Sequence, residues 1–238
     1  MYFPKILNSF FTIPGSKLFV MSLGYPFTIL VIIISIHALR KYNFSEIISE
    51  LGLKKGFSRG ALLGLIATLP MTLSSAILFK FSNNLFSYET LVAVFMAPIM
   101  EEILFRGYLF GQLFRKEQWG FIPASIIASL FFGLGHLYQA HNLSSAAGTF
   151  LVTFMGSAWS AWLYIEYDGN LWLPISLHIF MNLSWIIFQT DVPGAVGSNI
   201  TNLFRIITII ITIVYTIRYS KKHGRKINKR NLLINYSN

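Results

Sequence analysis

The sequence predicts an all-α protein, a polytopic transmembrane helical bundle of about seven spans, within a range of six to eight. Three observations carry that reading. Of 238 residues, 54% are hydrophobic and only 12% charged, and the mean hydropathy is +0.59, well outside the soluble globular norm. The apolar stretches follow one another with short links that leave no room for a separate soluble unit, so residues 1–238 read as a single membrane domain. The net charge of +10 gathers between Arg40 and Arg59 and between Arg218 and Arg230, beside spans rather than within them. Basic residues there set orientation and meet anionic lipid, so no nucleic-acid partner is expected. With no cysteine, disulfides, a thiol nucleophile and cysteine metal sites are excluded.

Taken in order, residues 1–16 lack the basic start and small-residue cleavage site of a signal peptide and read as an interfacial lead-in. Leu18 to Leu39 is the first span, closed by Arg40 and Lys41. Within 40–59, Ile47, Ile48, Leu51 and Leu53 alternate with Glu46, Glu50, Lys54 and Lys55, the pattern of a short amphipathic helix at the interface. Ala61 to Phe81 is the second span; Gly60 and Gly64, four apart, suit close helix contact. The third runs from Leu91 to Phe114, the fourth from Trp119 to Leu137, the fifth from Ala146 to Tyr167 and the sixth from Leu171 to Phe188. A seventh, Ile200 to Tyr219, leads into a basic tail, 220–238. Lysine and arginine follow spans one, three and seven, which puts the amino terminus outside and the tail in the cytoplasm. Glu166 and Asp168, at the end of the fifth span, read as solvated charge.

The third span carries the chemistry. At about 1.5 Å rise per residue it is long enough to cross a hydrocarbon core, yet Glu101, Glu102 and Arg106 lie near its middle. Each such group costs about 2.5 to 3.5 kcal/mol at a bilayer centre, so the three should face protein or a wet cavity. Glu102 and Arg106, four apart with the acid first, share a face and can neutralise each other. Glu101 points about 100° further round, which keeps its carboxylate for proton transfer. Pro98 removes a backbone hydrogen bond one turn earlier.

Two further polar stripes fall inside spans. Phe132 and His136 share a face in the fourth span, His178 and Asn182 in the sixth. Together the three stripes would offer a base, two imidazoles and an amide donor, the set needed to activate water and hold a developing oxyanion. The two imidazoles and Asn182 taken singly could equally be packing contacts between helices. A glutamate with two histidines could instead ligate zinc through Glu101, His136 and His178 and leave a position for water.

Glu101-Glu102-x-x-x-Arg106, Phe132-x-x-x-His136 and His178-x-x-x-Asn182, in that order on three spans, resemble the three motifs of the CPBP intramembrane proteases. That family comprises CAAX prenyl endopeptidases and bacteriocin-processing proteins and is also called Abi; the likeness covers residues 88–190. It implies a helical fold with a buried site in which Glu101 activates water and His136 assists. His178 and Asn182 would stabilise the oxyanion, and Glu102, Arg106 and Phe132 would support them. The expected function is intramembrane hydrolysis of a peptide bond in a membrane-associated protein or peptide precursor. Two alternatives stand beside it: a non-proteolytic immunity or regulatory protein of the same family, and a proton-coupled carrier. The composition, rich in Ile, Asn and Lys, leans towards a bacterial plasma membrane.

Overall fold

The structure, a computed structural model, describes residues 17–83, 85–188, 190 and 194–235, with backbone alone for 17–23. The lead-in 1–16 and the last three residues of the tail lie outside the described residues. Helices dominate. They are α1 (Lys17–Arg40), α2 (Phe44–Glu50), α3 (Phe57–Leu78), α4 (88–115), α5 (Phe121–Gly135), α6 (Leu143–Glu166), α7 (Trp172–Ile186) and α8 (Asn199–His223). Strand pairing among the described residues is confined to isolated bridges, Phe81 to Phe188 and Trp119 to Ile234.

Among the described residues seven helices lie where the seven segments are expected, with ends shifted by a few residues, but fewer of them qualify as spans. Three helical stretches, Phe57–Leu78, Phe121–Gln139 and Asn199–His223, are long and apolar enough to cross a membrane by length and composition, four if Gly24–Arg40 with Phe44–Glu50 counts as one bent span. The physical reasons are local: α4 is broken by two π-helical stretches, and α7 has only 15 residues.

Side chains set several helix starts. Asn43 and Glu46 form a capping box at α2, Asn142 and Ser145 at α6, and Ser198 and Thr201 at α8, each satisfying amides that the first turn leaves unpaired. Small residues set the packing. A Cβ on Gly60 would lie 2.6 Å from the Leu173 amide nitrogen, and one on Gly64 would lie 2.7 Å from Ser176 Cβ, so α3 meets α7 at near backbone contact. Thr72 and Ser184 hydroxyls bond across that seam at 2.7 Å. The buried face of α8 is a stripe of small polar residues, Thr201, Thr208, Thr212, Thr216 and Ser220, while large apolar side chains such as Ile206 and Ile210 face outward.

The main core gathers round α4: Ile32 and Ile36 of α1, Ile103 and Phe110 of α4, Tyr164 of α6 and Ile175 of α7. The segment expected at the interface turns its apolar face into this core, with Ile47 and Leu51 both buried. Its polar side is tied to α4 through Glu50, which faces Arg115 at 3.5 Å and Lys116 at 3.2 Å. Gly52 sits at φ +82° with its Cβ position 1.9 Å from the Gly169 carbonyl oxygen, a place no side chain could occupy.

The tail folds back on the bundle. Carbonyls of Asn231, Leu232 and Leu233 accept from the amides of Phe121, Ile122 and Gly120 and so cap α5. Glu166, read from sequence as solvated, is instead buried: it accepts from Ser220 Oγ at 2.5 Å and from the amides of Lys226 and Ile227 at 3.4 and 3.2 Å. The turn after α8 brings those donors to the end of α6, which sequence spacing could not reveal. Asp168 is exposed, and as partner to Lys226 it holds that ammonium above its ordinary pKa.

Candidate active site

The site is built on the break in α4. Around Val92–Met96 the helix widens, and the Ala97 amide donates to Val92, five residues back rather than four. The Ala93 carbonyl is thereby left without the Ala97 donor, and the residue five further on is Pro98, which has no N–H. Asn182 of α7 supplies the missing donor, Nδ2 to the Ala93 oxygen at 2.9 Å. One of its two amide protons is thus committed to holding α7 against α4. This also sets the depth at which the next turn, Ala97–Glu102, presents its glutamates to α7.

Glu102 is the buried member of the pair. Its Oε2 lies 3.2 Å from Arg106 Nε and accepts from Ser160 Oγ at 2.8 Å, and its Oε1 accepts from His178 Nδ1 at 3.0 Å. The Arg106 contact is one of charge more than of hydrogen bonding, since neither Nε nor Nη1 finds an aligned acceptor. The guanidinium lies over the Phe132 ring instead, 4.3 Å from its centroid, and Phe105 meets the same ring edge-on at 5.1 Å. Phe132 therefore joins α5 to the ion pair.

Phe132 also orients His136. The two rings are 4.3 Å apart, and His136 Nδ1 bonds to the Phe132 carbonyl at 2.7 Å. A carbonyl can only accept, so Nδ1 carries a proton, and in the neutral form of the ring the nitrogen facing α4, Nε2, is bare. The same logic fixes His178, whose Nδ1 proton goes to the Glu102 carboxylate. Both bare nitrogens face one atom: Glu101 Oε2 is 3.8 Å from His136 Nε2 and 3.9 Å from His178 Nε2. The three side chains are 15 to 22% exposed, enclosed yet open to a small molecule.

Three electron-rich atoms so arranged repel one another unless a donor lies between them. A water molecule is the neutral species that fits, one O–H towards Glu101 and the other towards an imidazole. A metal is the charged alternative, but no group of three or more His, Cys, Asp or Glu side chains among the described residues is spaced to hold one.

The structure thus brings Glu101, His136 and His178 to one point from α4, α5 and α7, with Glu102, Arg106 and Phe132 behind them and Asn182 at the helix seam. Ser160 on α6 and the Ala93 carbonyl are participants that the motif reading omits. Pro98 was the available sign of the second; Ser160 gave only the weak sign of a hydroxyl on a helix rich in small residues.

Fold and site define an α-helical membrane protein with a carboxylate and two imidazoles converging between three helices. Residues 83–184 match the family described as type II CAAX prenyl endopeptidase, Rce1-like. Over 101 residues the chain is 36% identical to a Bacillus subtilis (strain 168) protein described as "Putative membrane peptidase YdiL". That alignment takes in 42% of this chain and 37% of the relative, so the chain spans just over a third of that relative's length. No solved structure gives a significant match. The likeness to that family is thus confined to the central segment, 83–184. All three motifs lie within it.

Proposed function

We propose that this protein is an intramembrane endopeptidase that hydrolyses a peptide bond of a membrane-associated protein or peptide with water activated by Glu101. The observation that carries the reading is the convergence of two bare imidazole nitrogens on one Glu101 oxygen, at 3.8 and 3.9 Å. Water held there donates one proton to Glu101 and its second O–H to His136. Its oxygen lone pair attacks the carbonyl carbon as Glu101 takes the proton. A proton taken up from bulk solvent onto His178 Nε2 before the attack stays there throughout and is donated as a hydrogen bond to the oxyanion, and the buried Glu102 beneath it balances the added charge. Asn182 has one amide proton left for the same oxygen. As the C–N bond breaks, Glu101 returns its proton to the leaving nitrogen. The family match and the similarity to a described membrane peptidase support the same class of reaction.

The experiment compares membrane peptides by mass spectrometry in cells making the native chain and cells making Glu101→Gln, which keeps the shape and removes the base. A cleavage product present only with the native chain is expected. Product formed equally in both would refute the mechanism, and immunity or signalling that survives the substitution would favour the non-proteolytic reading.

A further inference from the structure

The site as drawn is rich in acceptors and poor in fixed donors. Glu102 has Ser160, His178 and Arg106 as partners, but the Glu101 carboxylate receives no hydrogen bond among the described residues. A carboxylate left to rotate would present either oxygen, or neither, to the imidazoles. Something must hold it.

The helix α1 carries a candidate that no motif includes. Ile29, Ile32 and Ile36 recur at helical spacing and pack against α4 around Ile99 and Ile103, the residues that bracket the glutamates. Tyr25 lies on the same stripe, one turn before Ile29; Arg40 pairs with Glu117 where α1 and α4 end side by side, and counting back 15 residues from the one and 16 from the other puts Tyr25 level with Glu101. Its hydroxyl oxygen is shut off from solvent and has no hydrogen-bond partner among the described residues. A buried donor without an acceptor and a carboxylate without a donor therefore share one corner of the site. A buried hydroxyl without an acceptor is unfavourable, and a nearby carboxylate is the partner that would satisfy it.

We infer that Tyr25 is a positioning residue for hydrolysis, its hydroxyl donating to Glu101 directly or through one water so that Oε2 stays turned to His136 and His178. The inference rests on the endopeptidase reading. It adds a residue from outside the matched segment 83–184, and so assigns α1 a part in the chemistry.

Two measurements on the full-length protein test it. In the first, the chain is labelled with 3-fluorotyrosine, and the 19F resonance absent from Tyr25→Phe is taken as that of Tyr25. This resonance should move when Glu101 is replaced by glutamine and stay put for Asp168→Asn. A resonance indifferent to Glu101 overturns the inference whether or not the chain is a protease. In the second, release of the product found by the peptide comparison is timed in membranes carrying Tyr25→Phe. Release should slow about 10- to 100-fold while the melting temperature stays within a degree or two of native. Unchanged release with Tyr25→Phe, alongside loss with Glu101→Gln, removes Tyr25 from the mechanism and leaves the endopeptidase reading intact. Undiminished release with Glu101→Gln removes both.

Discussion

Adjacent glutamates in α4 have opposite structural duties. Glu102 is buried against Arg106, Ser160 and His178, whereas Glu101 receives no hydrogen bond among the described residues and faces two imidazoles at 3.8 and 3.9 Å. Glu101→Gln should therefore abolish hydrolysis and leave thermal unfolding in detergent almost unmoved. Glu102→Gln strands a buried guanidinium and should destabilise by about 3 to 5 kcal/mol, read as a clear fall in melting temperature, with activity lost as well. Equal thermal effects of the two would contradict the division. Arg106→Lys should fail to restore full stability, because an ammonium cannot lie flat over Phe132 as the guanidinium does. Exhaustive chelation should leave activity unchanged if water alone lies between Glu101 and the imidazoles. The pairing of Glu102 with Arg106 was legible in the i, i+4 spacing, as was the free direction of Glu101. The Ser160 hydroxyl was not, since nothing in a run of serine, alanine and glycine says which hydroxyl meets a carboxylate 58 residues away.

At the scale of elements, the positions of the helices were readable because runs of apolar residues end at basic or small polar ones. The irregularities inside them were not. Hydropathy cannot see a π-helical stretch, although Pro98 marks where α4 must release a carbonyl. That carbonyl gives a sharp test. Asn182→Leu leaves the Ala93 oxygen unpaired and should cost about 1 to 3 kcal/mol. Pro98→Ala restores an N–H within reach of the same oxygen, so the double variant should be more stable than the sum of the single effects allows. Strict additivity of the two unfolding free energies would show that Asn182 does not serve Ala93. The Gly60 and Gly64 contact was legible in the four-residue spacing, and its partner α7 emerged only with the fold. Gly64→Val should push α7 outward, costing about 1 to 3 kcal/mol, and should reduce activity by displacing His178.

The whole molecule shows why those sparse polar residues can be tolerated in an apolar chain. Helices α3, α5 and α8 keep large apolar side chains outward and turn small or polar groups inward, so the cost of burying polar groups is met by partners from other helices. Sequence order gave the three motif helices but not their convergence, which depends on α4 touching α5, α6 and α7 together. Nor did it show that the tail closes the bundle by capping α5 and enclosing Glu166. Glu166→Ala should release residues 226–235, seen as faster trypsin cleavage at Lys226 to Arg230 with the rest of the chain still folded.

The central claim is that one carboxylate oxygen, faced by two imidazoles from separate helices, activates the water that splits a peptide bond. The most direct measurement is hydrolysis in water enriched in oxygen-18, using purified native protein and Glu101→Gln. The account requires one heavy oxygen in each new carboxyl terminus with the native protein and no product from the variant. A variant that still releases labelled product at the native rate would contradict it.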